Sequence, residues 1–82
     1  MIRMSKKTKK SREALQEAVH RFFGQNGLGL DDIEKTPFCA YFEGAGGFVA
    51  VNILEEEEDT RVVDIHSREW EYDTQWFMGH LQ

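Results

Sequence analysis

Three extended apolar runs in the second half of the chain constrain its fold more than any other feature. They occupy residues 38–43, 48–54 and 61–66 and are rich in Phe, Val, Ile and Tyr, which are residues that β-strands favour. A glycine-rich segment at residues 44–47 separates the first two runs, and an acidic segment at residues 55–60 separates the second from the third. The pattern predicts three antiparallel strands in a meander.

The register of this meander can be predicted from its first turn. When Glu43 is paired with Phe48, the apolar pairs that follow are Phe42 with Val49, Ala40 with Val51, and Phe38 with Ile53. All six side chains then lie on one face, because strand side chains alternate with a period of two. In the third strand, Val63 and Ile65 fit the same face, opposite Val51 and either Val49 or Ile53. The sheet is therefore expected to have one continuous apolar face.

A helix is predicted before the sheet. Ser11 suits the N-cap position, and Leu15, Val19 and Phe22 recur at helical spacing over residues 12–25. Residues 26–37 are read as a connector with room for a short helical turn at 31–35. Its apolar side chains are expected to tuck under the core: Leu28, Leu30 and Ile33.

The segment after the third strand has two interpretations. The first, which we prefer, makes Ser67 the N-cap of a second helix whose apolar stripe includes Trp70 and Phe77. Residues 68–73 also alternate between polar and aromatic side chains. The third strand could therefore continue, or a fourth begin, with the helix starting near Asp73.

The predicted fold is a two-layer α+β domain with element order α-β-β-β-α and both helices on one sheet face. The domain covers residues 12–82, and residues 1–11 are expected to form a flexible basic tail. The acidic run at 55–59 is expected to be a solvated hairpin tip.

Charge is distributed unevenly along the chain. The first twelve residues hold no acid, whereas the other seventy contain four basic residues and all fifteen acids. Six residues carry the positive charge of the tail: Arg3, Lys6, Lys7, Lys9, Lys10 and Arg12. The acidic body should repel nucleic acid. Nucleic-acid association is an alternative function only through residues 1–12, with Lys6, Lys7, Lys9 and Lys10 as the candidate contacts.

The chain has one cysteine, Cys39, so it cannot form an internal disulfide, which suits a reducing compartment. No apolar run approaches the roughly 20 residues that a membrane-spanning helix needs. We expect a cytoplasmic protein without a membrane span.

Few residues suggest catalysis. Asp64 and His66 lie two apart on a predicted strand and could orient a base or bind zinc, which makes an enzyme or metal site the third-ranked hypothesis. The sequence identifies no base that could activate Cys39. The sequence predicts no catalytic residues, no metal ligands and no cofactor, and favours binding over catalysis.

The predicted register leaves a second sheet face that is roughly half apolar, a composition typical of association surfaces. The leading hypothesis is a protein-interaction or regulatory module, with a protein partner or a second copy bound through this face or the last helix. The candidate surface comprises Tyr41, Phe48, Ala50, Asn52, Val62, Asp64 and His66.

The predicted order of helix, three-strand meander and helix, together with the acidity of residues 12–82, resembles the core of the type III secretion chaperone-like fold. Members of that family are small acidic proteins that often dimerise and bind other chains. The resemblance rests on element order and acidity, and it implies a binding role without assigning any residue a function.

Overall fold

A computed structural model of the chain describes residues 1–56 and 59–81. In this part of the chain, five strands and two helices follow one another: β1 (Ile2–Thr8), α1 (Arg12–Phe23), β2 (Asp31–Lys35), β3 (Cys39–Gly44), β4 (Gly47–Glu55), β5 (Arg61–Arg68) and α2 (Glu71–Gly79). The strands form one antiparallel sheet in the order β1-β5-β4-β3-β2. The predicted three-stranded meander is therefore wrong, because a further strand extends each side of it. Two residues of the predicted acidic tip, 57 and 58, lie outside the described residues.

The segment predicted as a flexible tail, residues 1–11, contains β1. This strand pairs with β5 along its whole length, from Ile2 opposite Ser67 to Thr8 opposite Arg61. Met4 packs against the core, and Thr8 is buried. Every second side chain of this strand faces the helices. The lysines of the strand made this alternation difficult to recognise in the sequence.

Lys6 is a charged residue of β1 whose side chain faces the helices. Its Nζ donates a hydrogen bond of 3.0 Å to the main-chain carbonyl of Met78, near the carboxyl end of α2. A helix terminus of this kind carries partial negative charge and exposes carbonyls without intrahelical partners. Lys6 therefore joins the first strand to the last helix.

Strand β2 occupies residues 31–35 of the predicted connector, in place of the short helical turn for which the sequence leaves room. It pairs with β3, and the register shifts between Asp32 and Glu34. Ile33 lies at this irregularity and is 55% exposed, so the expectation that it tucks under the core is wrong. Backbone pairing, rather than side-chain burial, positions this edge strand.

The register of the three central strands is confirmed apart from one pair. Four of the observed inner-face pairs are Ala40 with Val51, Phe42 with Val49, Val51 with Ile65, and Ile53 with Val63. Phe38 is the exception, since its side chain is 47% exposed. Its carbonyl still accepts a hydrogen bond from the Ile53 amide. The chain turns between Thr36 and Cys39, which directs the Phe38 ring outward beneath the Arg12 guanidinium.

The inner face of the sheet and both helices share one hydrophobic core. Ser11 caps α1 as predicted, because its hydroxyl accepts a hydrogen bond of 3.1 Å from the Ala14 amide. Helix α1 contributes Leu15, Val19 and Phe23, all of them fully buried. Helix α2 contributes Phe77 and Met78 to the same cluster. Both helices therefore cover one face of the sheet.

The preferred reading of Ser67 as a helix N-cap is wrong. Ser67 lies within β5, where it pairs with Val49, and its hydroxyl donates a hydrogen bond of 2.6 Å to the Glu69 carbonyl. Glu69 and Trp70 then adopt positive φ values of 64° and 49°, which turn the chain before α2 begins at Glu71. The alternative in which the third predicted strand continues is closer to the structure.

Within residues 1–56 and 59–81, neither helix combines the length and apolarity required to cross a membrane. The compartment in which the protein works stays a prediction.

The first testable prediction concerns β1. Met4→Asp should lower the free energy of unfolding by roughly 2–3 kcal/mol, because it places a charge against the core without a partner. Lys9→Asp, at an exposed position after the strand, should change it by less than about 0.5 kcal/mol. Urea denaturation followed by circular dichroism measures both values. Equal stability of the two variants would contradict the assignment of residues 2–8 as an integral strand.

Candidate functional site

The sheet face opposite the helices is a candidate site, and we call it the outer face. Alternation along each strand and the observed pairing assign to it Arg3, Ser5, Lys7, Asp31, Glu34, Cys39, Tyr41, Glu43, Phe48, Ala50, Asn52, Leu54, Val62, Asp64, His66 and Arg68. These side chains are exposed or partly exposed. No element of the described chain covers them, because the buried residues of both helices belong to the core on the inner face.

All seven residues of the predicted interaction surface lie on this face. Strand β3 contributes Tyr41, and β4 and β5 contribute three residues each: Phe48, Ala50 and Asn52 from β4, and Val62, Asp64 and His66 from β5. The structure thus brings together residues that are up to 25 positions apart in the chain. Their role in binding is a proposal developed below.

An aromatic row crosses the centre of the outer face. The Tyr41 and Phe48 rings stack with their centroids 5.9 Å apart, and the His66 ring meets Phe48 edge-on at 5.5 Å. Ala50 lies between Tyr41 and His66, since it is paired with both.

Asp64 is held by two residues of β1. Arg3 donates to both carboxylate oxygens, at 3.0 Å through Nη2 and at 3.4 Å through Nε, and Ser5 donates its hydroxyl at 3.1 Å. The hydrogen bond from Arg3 lowers the pKa of Asp64, helped by Ser5 and opposed by partial burial. The same pairing raises the pKa of the Arg3 guanidinium. Asp64 therefore fastens the edge strand to the sheet.

This arrangement bears on the metal or enzyme hypothesis near Asp64 and His66. Both oxygens of Asp64 already accept hydrogen bonds, and the His66 ring packs against Phe48. Among the described residues, no three His, Cys, Asp or Glu side chains are grouped as a metal site requires. The Cys39 thiol donates to the Asn52 side-chain oxygen at 3.1 Å. The observed contacts are thus those of a surface hydrogen-bond network.

Tyr41 and Glu43 form a second polar group near the acidic side of the face. Desolvation raises the pKa of the Tyr41 hydroxyl, and a hydrogen bond to Glu43 raises it further. The tyrosine thus remains a neutral hydrogen-bond donor to the carboxylate.

The outer face changes charge from one side to the other. Arg3 and Lys7 on β1, with Arg68 on β5, make one side basic. Asp31 and Glu34 on β2, with Glu43 on β3, make the other side acidic. The aromatic row separates the two sides. A surface of this kind can complement a partner that has the opposite gradient.

The four lysines proposed for nucleic-acid binding do not form one patch. Lys6 faces the helices and bonds to Met78, whereas Lys7 lies on the outer face with its Nζ 3.5 Å from Glu56. Lys9 and Lys10 follow the strand in the turn before α1. The extended conformation of β1 directs consecutive lysines to opposite sides of the sheet.

Sequence reasoning missed the contribution of β1 and β2 to the outer face. The signal for β1 was the alternation of apolar Ile2 and Met4 with polar Arg3 and Ser5, which is typical of a strand. The charged residues of the segment made it resemble a solvated tail instead.

A scan of protein-family models found no match to the chain, and a search of curated proteins found no similar sequence. The resemblance to the type III secretion chaperone-like fold stays a prediction.

The second prediction uses the lowered pKa of Asp64. Folded Asp64 binds a proton less readily than unfolded Asp64, whose ordinary pKa is 3.8. The stability from this pair is therefore fully present above the ordinary pKa and is lost as the pH falls through the lowered one. Asp64→Asn should be less stable than the unmodified protein at pH 7 and should lose less stability below about pH 4–5.

Urea denaturation between pH 7 and pH 3 measures this difference. Asp31→Asn is the matched control, because Asp31 is exposed on the same face and makes no ion pair among the described residues. It should retain the acid sensitivity of the unmodified protein. Identical pH profiles for Asp64→Asn and the unmodified protein would show that the Arg3–Asp64 pair does not stabilise the fold.

Proposed function

We propose that the protein is an interaction module that forms a homodimer by packing its outer face against the outer face of a second copy. The charge gradient across this face is the observation that supports the proposal. A sheet with one basic and one acidic side complements itself when a second copy is suitably rotated.

The sheet order gives the symmetry that such a dimer would use. Strand β4 is central, with β5 and β1 on one side and β3 and β2 on the other. A two-fold axis between the two faces, running along the strands, sets β4 over β4, β5 over β3, and β1 over β2. The strands of the two sheets are then roughly aligned, as in β-sandwiches, whose sheets pack about 10 Å apart.

This rotation pairs opposite charges at matching heights along the strands. Arg68 and Glu43 both pair with Phe48 within one copy, so Arg68 of one copy would meet Glu43 of the other. By the same register, Arg3 would meet Glu34. A two-fold axis perpendicular to the strands would instead place β1 over β1 and β2 over β2. That arrangement brings like charges together and is unfavourable.

The centre of the face supplies apolar contact for this dimer. Under the same rotation His66 of one copy lies over Tyr41 of the other, while Phe48 and Ala50 lie over their own counterparts. Five strands spaced about 4.8 Å apart and roughly 25 Å long present a projected area of about 600 Å², to which side-chain relief adds. That area approaches the roughly 800 Å² per partner of standard interfaces.

The edges of the sheet favour association through the face rather than through strand addition. All five residues of β2 are exposed, and four are charged: Asp31, Asp32, Glu34 and Lys35. The other edge strand, β1, carries Lys6 and Lys7. Charged edge strands and register irregularities discourage pairing with another chain. A small chain also has thin stability by itself, which additional burial would raise.

The third prediction tests the interface. Ala50→Glu places a charge in the apolar centre of both copies and should raise the dimer dissociation constant about a hundredfold. Tyr72→Glu is the matched control on α2, where Tyr72 is 77% exposed, and it should leave the constant unchanged. Sedimentation equilibrium from roughly 1 to 100 μM protein measures the constants, and circular dichroism verifies that both variants fold.

A charge exchange tests the orientation of the two copies. Arg68→Glu should weaken the dimer about tenfold, and adding Glu43→Arg to it should restore most of the loss. A monomer at all concentrations, or dissociation by Tyr72→Glu but not by Ala50→Glu, would contradict the proposal. The last result would move the interface to α2.

A further inference from the structure

A groove between the helices lies on the side of the molecule remote from the outer face. It has a volume of about 450 Å³, which falls within the range of small-molecule pockets. Its floor is apolar and consists of Ala18 from α1, Leu28 from the following loop, and Phe77 and Leu81 from α2 and its carboxyl end. We call it the helix groove.

Stacked rings form one wall of the helix groove. The Phe22 and Trp76 rings are nearly parallel with centroids 5.4 Å apart, and the Trp76 and His80 rings stack at 3.9 Å. The His80 Nδ1 lies 2.8 Å from the Trp76 carbonyl oxygen, which holds the imidazole in place. Trp76 is nevertheless 45% exposed, so the groove presents a large aromatic surface to solvent.

The two charged residues that line the helix groove are both basic. They are Lys10 and Arg21, and none of its described lining residues is acidic. This contrasts with the chain as a whole, which has a net charge of −5. A cluster of cationic groups beside an apolar cleft raises the local concentration of anions. The groove therefore selects for a ligand that is both apolar and anionic.

Both strong cations are positioned to reach a ligand. The Arg61 guanidinium donates a hydrogen bond of 3.0 Å to the Lys10 carbonyl, which fixes the backbone at that point. This contact does not involve the side-chain amine of Lys10. Arg21 pairs with Glu17 at 3.2 Å, but both side chains are at least 70% exposed. Exposed pairs of this kind are weak, so the guanidinium can turn to a carboxylate in the groove.

We propose that the helix groove binds an unbranched medium-chain carboxylate, with its alkyl chain along the apolar floor and its carboxylate between Lys10 and Arg21. At roughly 30 Å³ for each water-sized group, the groove accommodates on the order of ten to fifteen methylene groups. The alkyl chain provides the binding energy through burial. The two cations discriminate the carboxylate from a neutral or cationic head group.

Isothermal titration calorimetry with dodecanoate, dodecanol and dodecylamine tests this proposal. Dodecanoate should bind at least about tenfold more tightly than dodecanol, and dodecylamine should bind most weakly. In a Lys10→Gln/Arg21→Gln variant, the preference for dodecanoate over dodecanol should fall to within about twofold. Lys9→Gln is the matched control, since Lys9 adjoins Lys10 but does not line the groove, and it should retain the full preference.

A second variant locates the alkyl chain. Ala18→Phe fills the floor and should abolish binding of dodecanoate and dodecanol alike, while the Trp76 indole signal in NMR spectra should shift on titration of the unmodified protein only. The proposal is overturned if dodecanol binds as tightly as dodecanoate, if the double variant retains the preference, or if Ala18→Phe binds normally. Binding of an acidic amphipathic peptide without binding of dodecanoate would likewise overturn it. None of these readouts depends on the dimer.

Discussion

The antiparallel pairing of β1 with β5 is the interaction on which the rest of the structure depends. It converts β5 from an edge strand into an interior one and sets Met4 and Thr8 against the core. It also carries Lys6 to the carboxyl end of α2 and Arg3 to Asp64. One strand therefore connects the helix layer, the sheet and the basic side of the outer face. Its seven backbone pairs are supported on both sides of the sheet by charge-assisted hydrogen bonds, which are stronger than neutral ones.

The two faces of the sheet have different roles because the two helices cover only one of them. The inner face is mostly apolar along the three central strands and forms a single core with α1 and α2. The outer face combines an aromatic row with opposite charges at its two sides, and we propose that a second copy covers it. The helix groove lies between the helices, on the side remote from the outer face, so the ligand that we propose there would bind independently of the dimer. A chain of 82 residues would thus carry two separate binding surfaces.

The central part of the fold could be predicted from the sequence, because local signals there agree with one another. Alternating apolar residues and a glycine-rich turn determine how Phe42 meets Val49 and how Ala40 meets Val51. Ser11 likewise marks the start of α1, because the preference for serine at an N-cap is a local signal. The prediction failed where the stabilising partner is distant in sequence. Ile2–Thr8 forms a strand only because it pairs with β5. Asp31–Lys35 is exposed along its whole length, so it has no alternation of apolar and polar residues from which a strand could be predicted. Phe38 is apolar, yet a turn directs it outward.

The sequence by itself determined which residues alternate in the central strands, where α1 begins and how the charges are divided along the chain. These properties depend on near neighbours, which a linear pattern records. Tertiary structure alone decided that the basic segment is an edge strand, that basic and acidic residues occupy opposite sides of one face, and that two cationic residues line an apolar groove. Each of these depends on segments separated by tens of residues. Backbone hydrogen bonds, which are indifferent to side-chain identity, join the strands, and packing in the shared core brings the two helices together.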